Sequence, residues 1–289
     1  MKRIIVIVLA LLIMNSTNTL AEGREYSAYS NPDHTCKIFE YIGENTEIEI
    51  PNEWSFSSGS PYTVTSVGGR RDHPFSRTVE SIIIPEGVNV DGEAFFECLN
   101  LRRVVLPASI KTIEVEAFAR CENLTEINIP EGVERIGDSA FWYCSNLTSI
   151  DLPQSLLAID NCAFDRANLY SVIIPNGVTE IGNGAFCDNT NLTYIDLPNS
   201  IEKIDRFTFS GCKSLKSIYV PEGVKRICQN AFSGDSELKD IYLPKSLSMI
   251  ERDVFDKVVK KTMVIHGVPG SFVERWAKTE GYQFIGDYQ

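Results

Sequence analysis

Histidine is scarce in this sequence, and no two cysteines have the CxxC spacing of common zinc sites. The three histidines lie far apart, at His34, His73 and His266. Zinc sites need clustered cysteine and histidine ligands, so the sequence predicts no metal site. No glycine-rich phosphate loop follows a predicted strand, and no catalytic arrangement of a histidine with a serine or a cysteine can be placed in one coil. We therefore predict no catalytic residues and no cofactor.

Basic residues are a minority. The chain has 27 Lys and Arg against 39 Asp and Glu, which gives a formal net charge of -12. Nucleic acids and anionic membrane surfaces attract positively charged proteins, so we predict neither as a partner. Beyond the N-terminal segment the sequence also lacks any apolar run of membrane-spanning length. The mature chain is therefore predicted to have no transmembrane segment.

The N-terminus has the features of a secretory signal peptide. Lys2 and Arg3 precede an apolar run from Ile4 to Met14, and small residues precede an expected cleavage after Ala21. The run is shorter than the roughly 20 residues of a membrane helix, which makes an uncleaved anchor the weaker alternative. We predict an exported protein that is secreted, at the cell surface or periplasmic.

The sequence does contain an internal repeat of 22 or 23 residues. A phenylalanine follows each repeated proline by eleven residues, or by ten in the first copy. Self-similarity at this period is typical of leucine-rich repeat solenoids. The prolines are Pro85, Pro107, Pro130, Pro153, Pro175, Pro198, Pro221 and Pro244, and the phenylalanines are Phe95, Phe118, Phe141, Phe164, Phe186, Phe209, Phe232 and Phe255.

One repeat predicts one coil of such a solenoid. In "LTEINIP", residues 124–130, Ile127 and Ile129 alternate with polar residues, as in a strand with one buried face. Pro130 ends that strand, and Phe141 returns to the core from the far side. We predict an α/β solenoid, a right-handed coil of about nine repeats. It has a parallel sheet on one face and mostly irregular or short helical segments on the other.

A longer period of 45 or 46 residues lies inside the repeat. Copies that read "IPEGV", "IPNGV" or "VPEGV" alternate with copies that read "LPASI", "LPQSL", "LPNSI" or "LPKSL". We interpret two coils as the unit of duplication. Our hypothesis is that glycine adopts a backbone angle there that serine does not share.

Residues Ile129–Ile150 resemble the BspA-type leucine-rich repeat, whose pattern is I-P-x-G-V-x-x-I-G-x-x-A-F-x-x-C-x-x-L-x-x-I. The resemblance covers residues 62–270. It begins with "PYTVTSVG", which is similar to the family's entry coil, although "GRRDHPFSRTVE" replaces the expected Ala-Phe region. The resemblance implies a surface protein of gut or oral bacteria or of parasitic protists. Family roles include adhesion, host-protein binding and cell aggregation.

The ends of the solenoid need caps over their apolar surfaces. "CKIFEYIGENTEIEIP" alternates like a hairpin, and "GSFVERWAKTEG" predicts a helix with a capping box formed by Ser271 and Glu274 and a stop at Gly281, followed by a strand. The predicted boundaries are a signal peptide at 1–21, an N-terminal cap at 22–61, a leucine-rich repeat solenoid at 62–266, and a capping helix with a tail at 267–289.

Four of the eight cysteines share one repeat position, three residues after the phenylalanine. Such a position faces the core, where free cysteine is commonly buried. We predict buried free thiols there. Because exported proteins can form disulfides, a bridge elsewhere, between Cys187 and Cys212, is left open. The four cysteines are Cys98, Cys121, Cys144 and Cys212.

The outward strand positions give the candidate binding surface. Exposed tyrosines are enriched in interfaces, and carboxylates beside them suit a basic protein patch or a sugar. The alternative is the ordinary preference of tyrosine for strands. Two outward columns end with Tyr194, Ser217, Asp240 and Thr262, and with Asp196, Tyr219, Tyr242 and Val264. The predicted ligand-binding residues are Tyr194, Asp196, Tyr219, Asp240 and Tyr242.

We predict a non-catalytic binding or adhesion protein. Its partner would be a protein or a glycan, such as a host extracellular-matrix or cell-surface molecule, held on the strand face. One alternative is a secreted solenoid enzyme acting on polysaccharide. The nearest carboxylate pair for that chemistry, Asp151 and Asp196, spans two rungs, about 10 Å, against about 6.5 to 9.5 Å in inverting glycosidases. The other alternative is a structural or assembly module.

Overall fold

The structure, a computed structural model, describes residues 25–56, 60–69, 75–256, 259 and 262–288. The predicted signal peptide lies outside these residues. Within them, no helix has the length and apolar character that crossing a membrane requires. The elements in chain order are β1 (Tyr26–Ser30), β2 (Thr35–Tyr41), β3 (Glu47–Glu49), β4 (Glu53–Trp54), β5 (Tyr62–Val67), β6 (Ser81–Ile83), β7 (Asn89–Val90), β8 (Arg103–Val105), β9 (Thr112–Ile113), β10 (Glu126–Ile127), β11 (Arg135–Ile136), β12 (Ala158–Ile159), β13 (Ser171–Ile173), β14 (Glu180–Ile181), β15 (Tyr194–Asp196), β16 (Lys203–Ile204), β17 (Ser217–Tyr219), β18 (Arg226–Ile227), β19 (Asp240–Tyr242), β20 (Met249–Ile250), β21 (Val264–His266), α1 (Phe272–Glu280) and β22 (Gln283–Ile285).

The chain winds into a solenoid of about nine coils, as the repeat predicts. Two rows of short parallel strands run along it, and we call the surface of the first row the strand face. That row has three hydrogen-bonded segments, β3-β6-β8-β10, β13-β15 and β17-β19-β21-β22. The second row follows the proline turns. It consists of β9-β11-β12-β14 and β16-β18-β20, while β7, after the first of these turns, pairs with β5. In the part of the chain that the structure describes, the side opposite the strand face is built mostly of turns.

The first break in the strand face lies after β10, the strand that precedes Asn128. The side chain of Asn128 takes the place of a main-chain acceptor in the ladder. Its Oδ1 accepts a hydrogen bond of 2.9 Å from Leu106 N. Residues 149–151 of the next coil are not in a strand. The strand pairing resumes at β13.

A column of stacked phenylalanines fills the core behind the turns. Its members are buried, and neighbouring ring centroids lie 5.2 to 6.0 Å apart. The repeat spacing correctly predicts eight members but misses a ninth. Phe75 packs edge-on against Phe95 at 5.2 Å, although its irregular coil lacks the Ala-Phe motif. The coil that contains "GRRDHPFSRTVE" therefore continues the phenylalanine column through Phe75.

Backbone hydrogen bonds tie each turn to the next beside this column. Phe118 N donates to Ala140 O over 2.9 Å, and the residues two before and two after it donate to the following coil as well. Those flanking residues, Glu116 and Arg120, have left-handed φ angles of 53° and 60°. A left-handed L-residue costs roughly 1–2 kcal/mol. The inter-coil hydrogen bonds and ring burial offset this cost.

The cysteine column is buried, as predicted, and all eight cysteines are free thiols. Three thiols of this column donate toward the phenylalanine carbonyl of the preceding coil, as Cys144 Sγ does to Phe118 O over 3.1 Å. Cys212 is bonded in this way to Phe186 O, so the alternative of a bridge from Cys187 to Cys212 is wrong. Asn189 holds the same repeat position and donates to Phe164 O over 2.7 Å.

Hydrogen bonds explain the two-coil period. Ser155 Oγ accepts from Gly132 N over 2.8 Å and donates to Val133 O over 2.7 Å, joining a "Ser" coil to the "Gly" coil before it. The φ of Gly132 is +108°, which supports the backbone-angle hypothesis there. At Gly223 the constraint is space instead, because a Cβ would lie 2.3 Å from Asn199 O.

The N-terminal pairing differs from the predicted hairpin over Cys36–Pro51. Strand β2 pairs antiparallel with β1 and parallel with β5, whereas β3 pairs parallel with β6. The reason is that "TEIEIP" at β3 repeats the pattern of "TEINIP" at β10, so β3 joins the strand face. The boundary between cap and solenoid stays a prediction.

The predicted helix near the C-terminus is present, with the expected residues at both of its ends. Helix α1 begins after Ser271, whose side chain accepts from Glu274 N, and ends at left-handed Gly281. The Glu274 carboxylate accepts from Gly270 N, one residue before the usual partner in a capping box. Trp276 and Tyr282 pack on Phe255 at 6.4 and 6.0 Å and close the phenylalanine column.

Ser155→Ala tests the two-coil unit. Because it leaves Gly132 N and Val133 O without their partner, we expect the free energy of unfolding to fall by about 1–3 kcal/mol. Urea denaturation measures this change. Ser109→Ala is the matched control: Ser109 is exposed and accepts from Gly87 N over 3.1 Å. An equal loss in both variants would count against a bridging role specific to Ser155.

Asp235→Asn should stabilise the protein. Asp235 is 1% exposed in the cysteine column, and burial raises its pKa well above the ordinary value. Keeping it protonated costs about 1.4 kcal/mol for each pH unit above the unfolded pKa. Asparagine needs no proton, and Asn189 already occupies the same repeat position in another coil. We expect the stability gain, measured by urea denaturation, to grow from about pH 5 to about pH 8, and a pH-independent gain would contradict this account.

Candidate binding site on the strand face

Three rings stack along one outward column at the C-terminal end of the strand face. The Tyr219 and Tyr242 centroids lie 3.9 Å apart at an interplanar angle of 9°, and Tyr242 and His266 lie 4.2 Å apart at 18°. Register positions on β17, β19 and β21 place them in line. We call these three residues the aromatic stack. Tyr219 at its open end is 59% exposed.

His266 lies between two carboxylates at the other end of the stack. Its Nε2 is 3.0 Å from Asp240 Oδ1, and its Nδ1 is 2.8 Å from Asp287 Oδ1. The His266 side chain is only 8% exposed. Burial opposes its positive charge, but the hydrogen bonds and charges of Asp287 and Asp240 outweigh burial and raise the pKa above the ordinary value.

The sequence prediction placed the wrong residues of β21 in the two columns. The structure pairs Asp240 with Val264 and Tyr242 with His266, not with Thr262 and Val264 as expected. The predicted faces were right, because a shift of two residues preserves strand alternation. The last coil is longer than the repeat, however, and it lacks the proline and the leucine at the repeat spacing. Sequence reasoning therefore missed His266, although the alternation of "MVIHG" could have suggested it.

The five predicted binding residues do not form one cluster. The structure brings together Tyr219, Tyr242 and Asp240, the last through His266. Tyr194 is 54% exposed but pairs with Ser171 in the other column. Asp196 occupies the stack's register position one coil earlier. It lies on β15, and β15 and β17 belong to separate hydrogen-bonded segments.

The stack presents ring edges and hydroxyl groups rather than ring faces. Because the rings lie on one another, the two faces of Tyr242 are covered by Tyr219 and His266. The pKa of Tyr242 is raised to about 12, first by the Tyr219 hydroxyl, then by burial and by nearby charges. The phenol is therefore neutral at physiological pH and can donate a hydrogen bond. The outer face of Tyr219 is the one open aromatic face of the stack.

A second polar cluster lies on the turn side. Ligand atoms of Asp165, Cys187 and Asp188 lie within 4.8 Å of one another, a spacing that could hold a metal ion. Arg166 already supplies a cation: its Nη2 is 3.0 Å from Asp188, and its Nε is 3.9 Å from Asp165. Burial raises the pKa of Cys187 to about 12, which disfavours the thiolate that a metal needs.

The comparisons with known proteins agree with this architecture. The sequence profile of the BspA type leucine-rich repeat region matches residues 71–192 and 157–268, with six copies. A leucine-rich repeat protein from Bacteroides ovatus has a TM-score of 0.56 at 22% identity, covering 86% of this chain and 71% of that chain. The leucine-rich repeat protein of T. pallidum has a TM-score of 0.55 at 23% identity, covering 93% and 99%. Comparison with curated protein sequences gives no match.

The titration of His266 tests the geometry of this site. Because its pKa is raised on folding, His266 adds stability below its unfolded pKa of about 6.5, and that stability is lost as pH rises through the folded value. We expect Asp287→Asn to lower the His266 pKa, measured by NMR titration of the imidazole C–H signals. His266→Gln assigns the signal. An unchanged pKa in Asp287→Asn would mean that the two groups do not interact in solution.

Proposed function

Because the chain belongs to the BspA-type leucine-rich repeat family, we propose that it is an exported, non-catalytic binding protein that holds a protein partner on the C-terminal part of its strand face. The observation that carries this proposal is the aromatic stack, Tyr219, Tyr242 and His266, with its exposed outer tyrosine. Export is supported by the N-terminal pattern of basic and apolar residues. Adhesion to a host matrix or cell-surface protein is the role we infer.

The form of the stack favours a protein over a glycan. Sugar rings bind best on open aromatic faces, and most faces of this stack are covered by neighbouring rings. Tyrosine edges with a hydroxyl provide a rigid apolar surface and a hydrogen bond, which is what tyrosine contributes at protein interfaces. The open face of Tyr219 beside the Asp196 position supports a sugar only as the second candidate.

The charges around the stack favour a basic partner surface. Asp196 is exposed one coil before Tyr219, and Asp240 keeps 42% of its side chain exposed at the stack. The whole chain is acidic, at -12. Such a surface speeds encounter with a basic patch and repels an acidic one. Binding should therefore weaken as salt increases.

An array of extracellular-matrix proteins and glycans tests this function. The probe is the mature chain, residues 22–289, and the test variant is Tyr219→Ala with Tyr242→Ala. We expect binding to one or more protein spots, and a loss of tenfold or more in the variant, about 1.4 kcal/mol or more, because central tyrosines are typical hot spots.

Tyr170→Ala is the matched control, since Tyr170 is 50% exposed and lies outside the stack. Thermal melting of each variant checks that the fold is intact. Equal losses in the control and the test variant, or unchanged binding in a folded test variant, would reject the stack as the binding surface. Binding to glycan spots alone would reject the protein partner in favour of a sugar.

A further inference from the structure

The chain after β22 turns back over the strand face. Residues 286–288 reach from the last strand toward β17, and the Tyr288 hydroxyl donates to Val220 O over 2.8 Å, a contact between residues 68 positions apart. On the way the Tyr288 ring lies 6.5 Å from that of Tyr242. This segment therefore crosses the aromatic stack instead of continuing the solenoid.

The Val220 carbonyl, which accepts from Tyr288, has no main-chain donor because of a proline of the repeat. Val220 N donates to Tyr242 O in the parallel ladder, and the return hydrogen bond to Val220 O would come from residue 244. That residue is Pro244, which has no N–H group. An unsatisfied backbone carbonyl costs free energy when it is covered. The Tyr288 hydroxyl supplies the missing donor at this rung.

The second attachment of the segment is an ion pair. Asp287 places both carboxylate oxygens within hydrogen-bonding distance of His266 Nδ1, at 2.8 and 3.0 Å. His266 is almost fully covered, whereas Asp287 itself is 48% exposed. The segment is thus held by two side-chain contacts at its end. Because so few contacts hold the segment, the free energy needed to open it locally is low.

We propose that residues 286–288 form a strap that closes over the aromatic stack and competes with the partner for it. This inference rests on the proposed function of the stack. The strap covers the inner rungs, Tyr242 and His266, and leaves Tyr219 as the exposed point of first contact. A partner must displace Tyr288 to reach Val220 O and the edge of Tyr242. Opening the strap therefore strengthens partner binding.

The charge of His266 controls how firmly the strap is held. The groups that face His266 are Asp240 and Tyr242 from β19 and Asp287 from the strap, while Gln283–Ile285 of β22 carries no titratable group. Protonated His266 binds both carboxylates, so the strap is tightest at acidic pH. Neutral His266 can donate to only one of them. The strap loosens as pH rises through the His266 pKa.

Hydroxyl-radical footprinting of the full mature chain tests the strap without any partner. The variant is Asp287→Ala with Tyr288→Ala, and oxidation of Tyr242 is read by mass spectrometry and normalised to Tyr170. We expect Tyr242 oxidation to rise about threefold or more in the variant, because side-chain labelling follows solvent access. In the unmodified chain it should also be higher at about pH 8 than at about pH 5.5, and Asp287→Asn should remove this pH dependence.

Two isosteric variants and a control complete the experiment. Tyr288→Phe removes only the hydroxyl and Asp287→Asn only the charge, so each keeps the test valid where the double substitution unfolds the last coil. Asp151→Asn, an exposed carboxylate on the strand face outside the strap, should leave Tyr242 oxidation unchanged. Equal oxidation of Tyr242 in the unmodified chain and in the strap variants would overturn the strap. That result would leave the binding function standing, which the array tests separately.

Discussion

The packing of one phenylalanine ring on the ring of the preceding coil is the constraint on which the rest of the structure depends. Ring centroids keep a spacing of 5.2 to 6.0 Å from Phe75 to Phe255, within the range of favourable aromatic pairs. From Phe95 to Phe232, left-handed residues two positions before and after each ring form the tight turns on both sides of it. Packing between coils offsets the strain of these residues, because no coil can bury its apolar side alone. The column is closed by Trp276 and Tyr282.

The same constraint builds the aromatic stack on the opposite face. Once the rings fix the coils one above another, residues at equal positions in successive strands lie directly in line. Two tyrosines and a histidine in one outward column must then stack, whatever their role. In the solenoid, residues one repeat apart in the sequence therefore become neighbouring side chains in a row. Recognition by such a surface depends on which outward residues follow one another, because the backbone beneath them repeats.

Much of the fold could be predicted from the sequence because its signals are periodic. Prolines, phenylalanines and buried cysteines recur in register, and the helix cap at Ser271 uses local capping chemistry. Prediction failed where the period fails. Phe75 lies in a coil without the motif, and β3 was read as half of a hairpin despite its repeat-like strand. His266 was missed because the last coil is longer than the others. Contacts such as Tyr288 with Val220 join residues too distant for any local pattern to report.

The position of the candidate site follows from the same loss of periodicity. Inside the solenoid each coil is covered by the next, and the proline of a coil has no N–H to donate to the carbonyl of the coil before it. At the C-terminal end the repeat stops, and the chain is free to fold back over its own strand face. There its side chains contact an aromatic column, the Val220 carbonyl, which lacks a main-chain donor, and a histidine that also contacts Asp240. A surface that binds its own chain through a phenol and a carboxylate has the chemistry to bind another polypeptide. The end of the repeat is therefore where this fold, otherwise uniform, carries the surface that we propose for recognition.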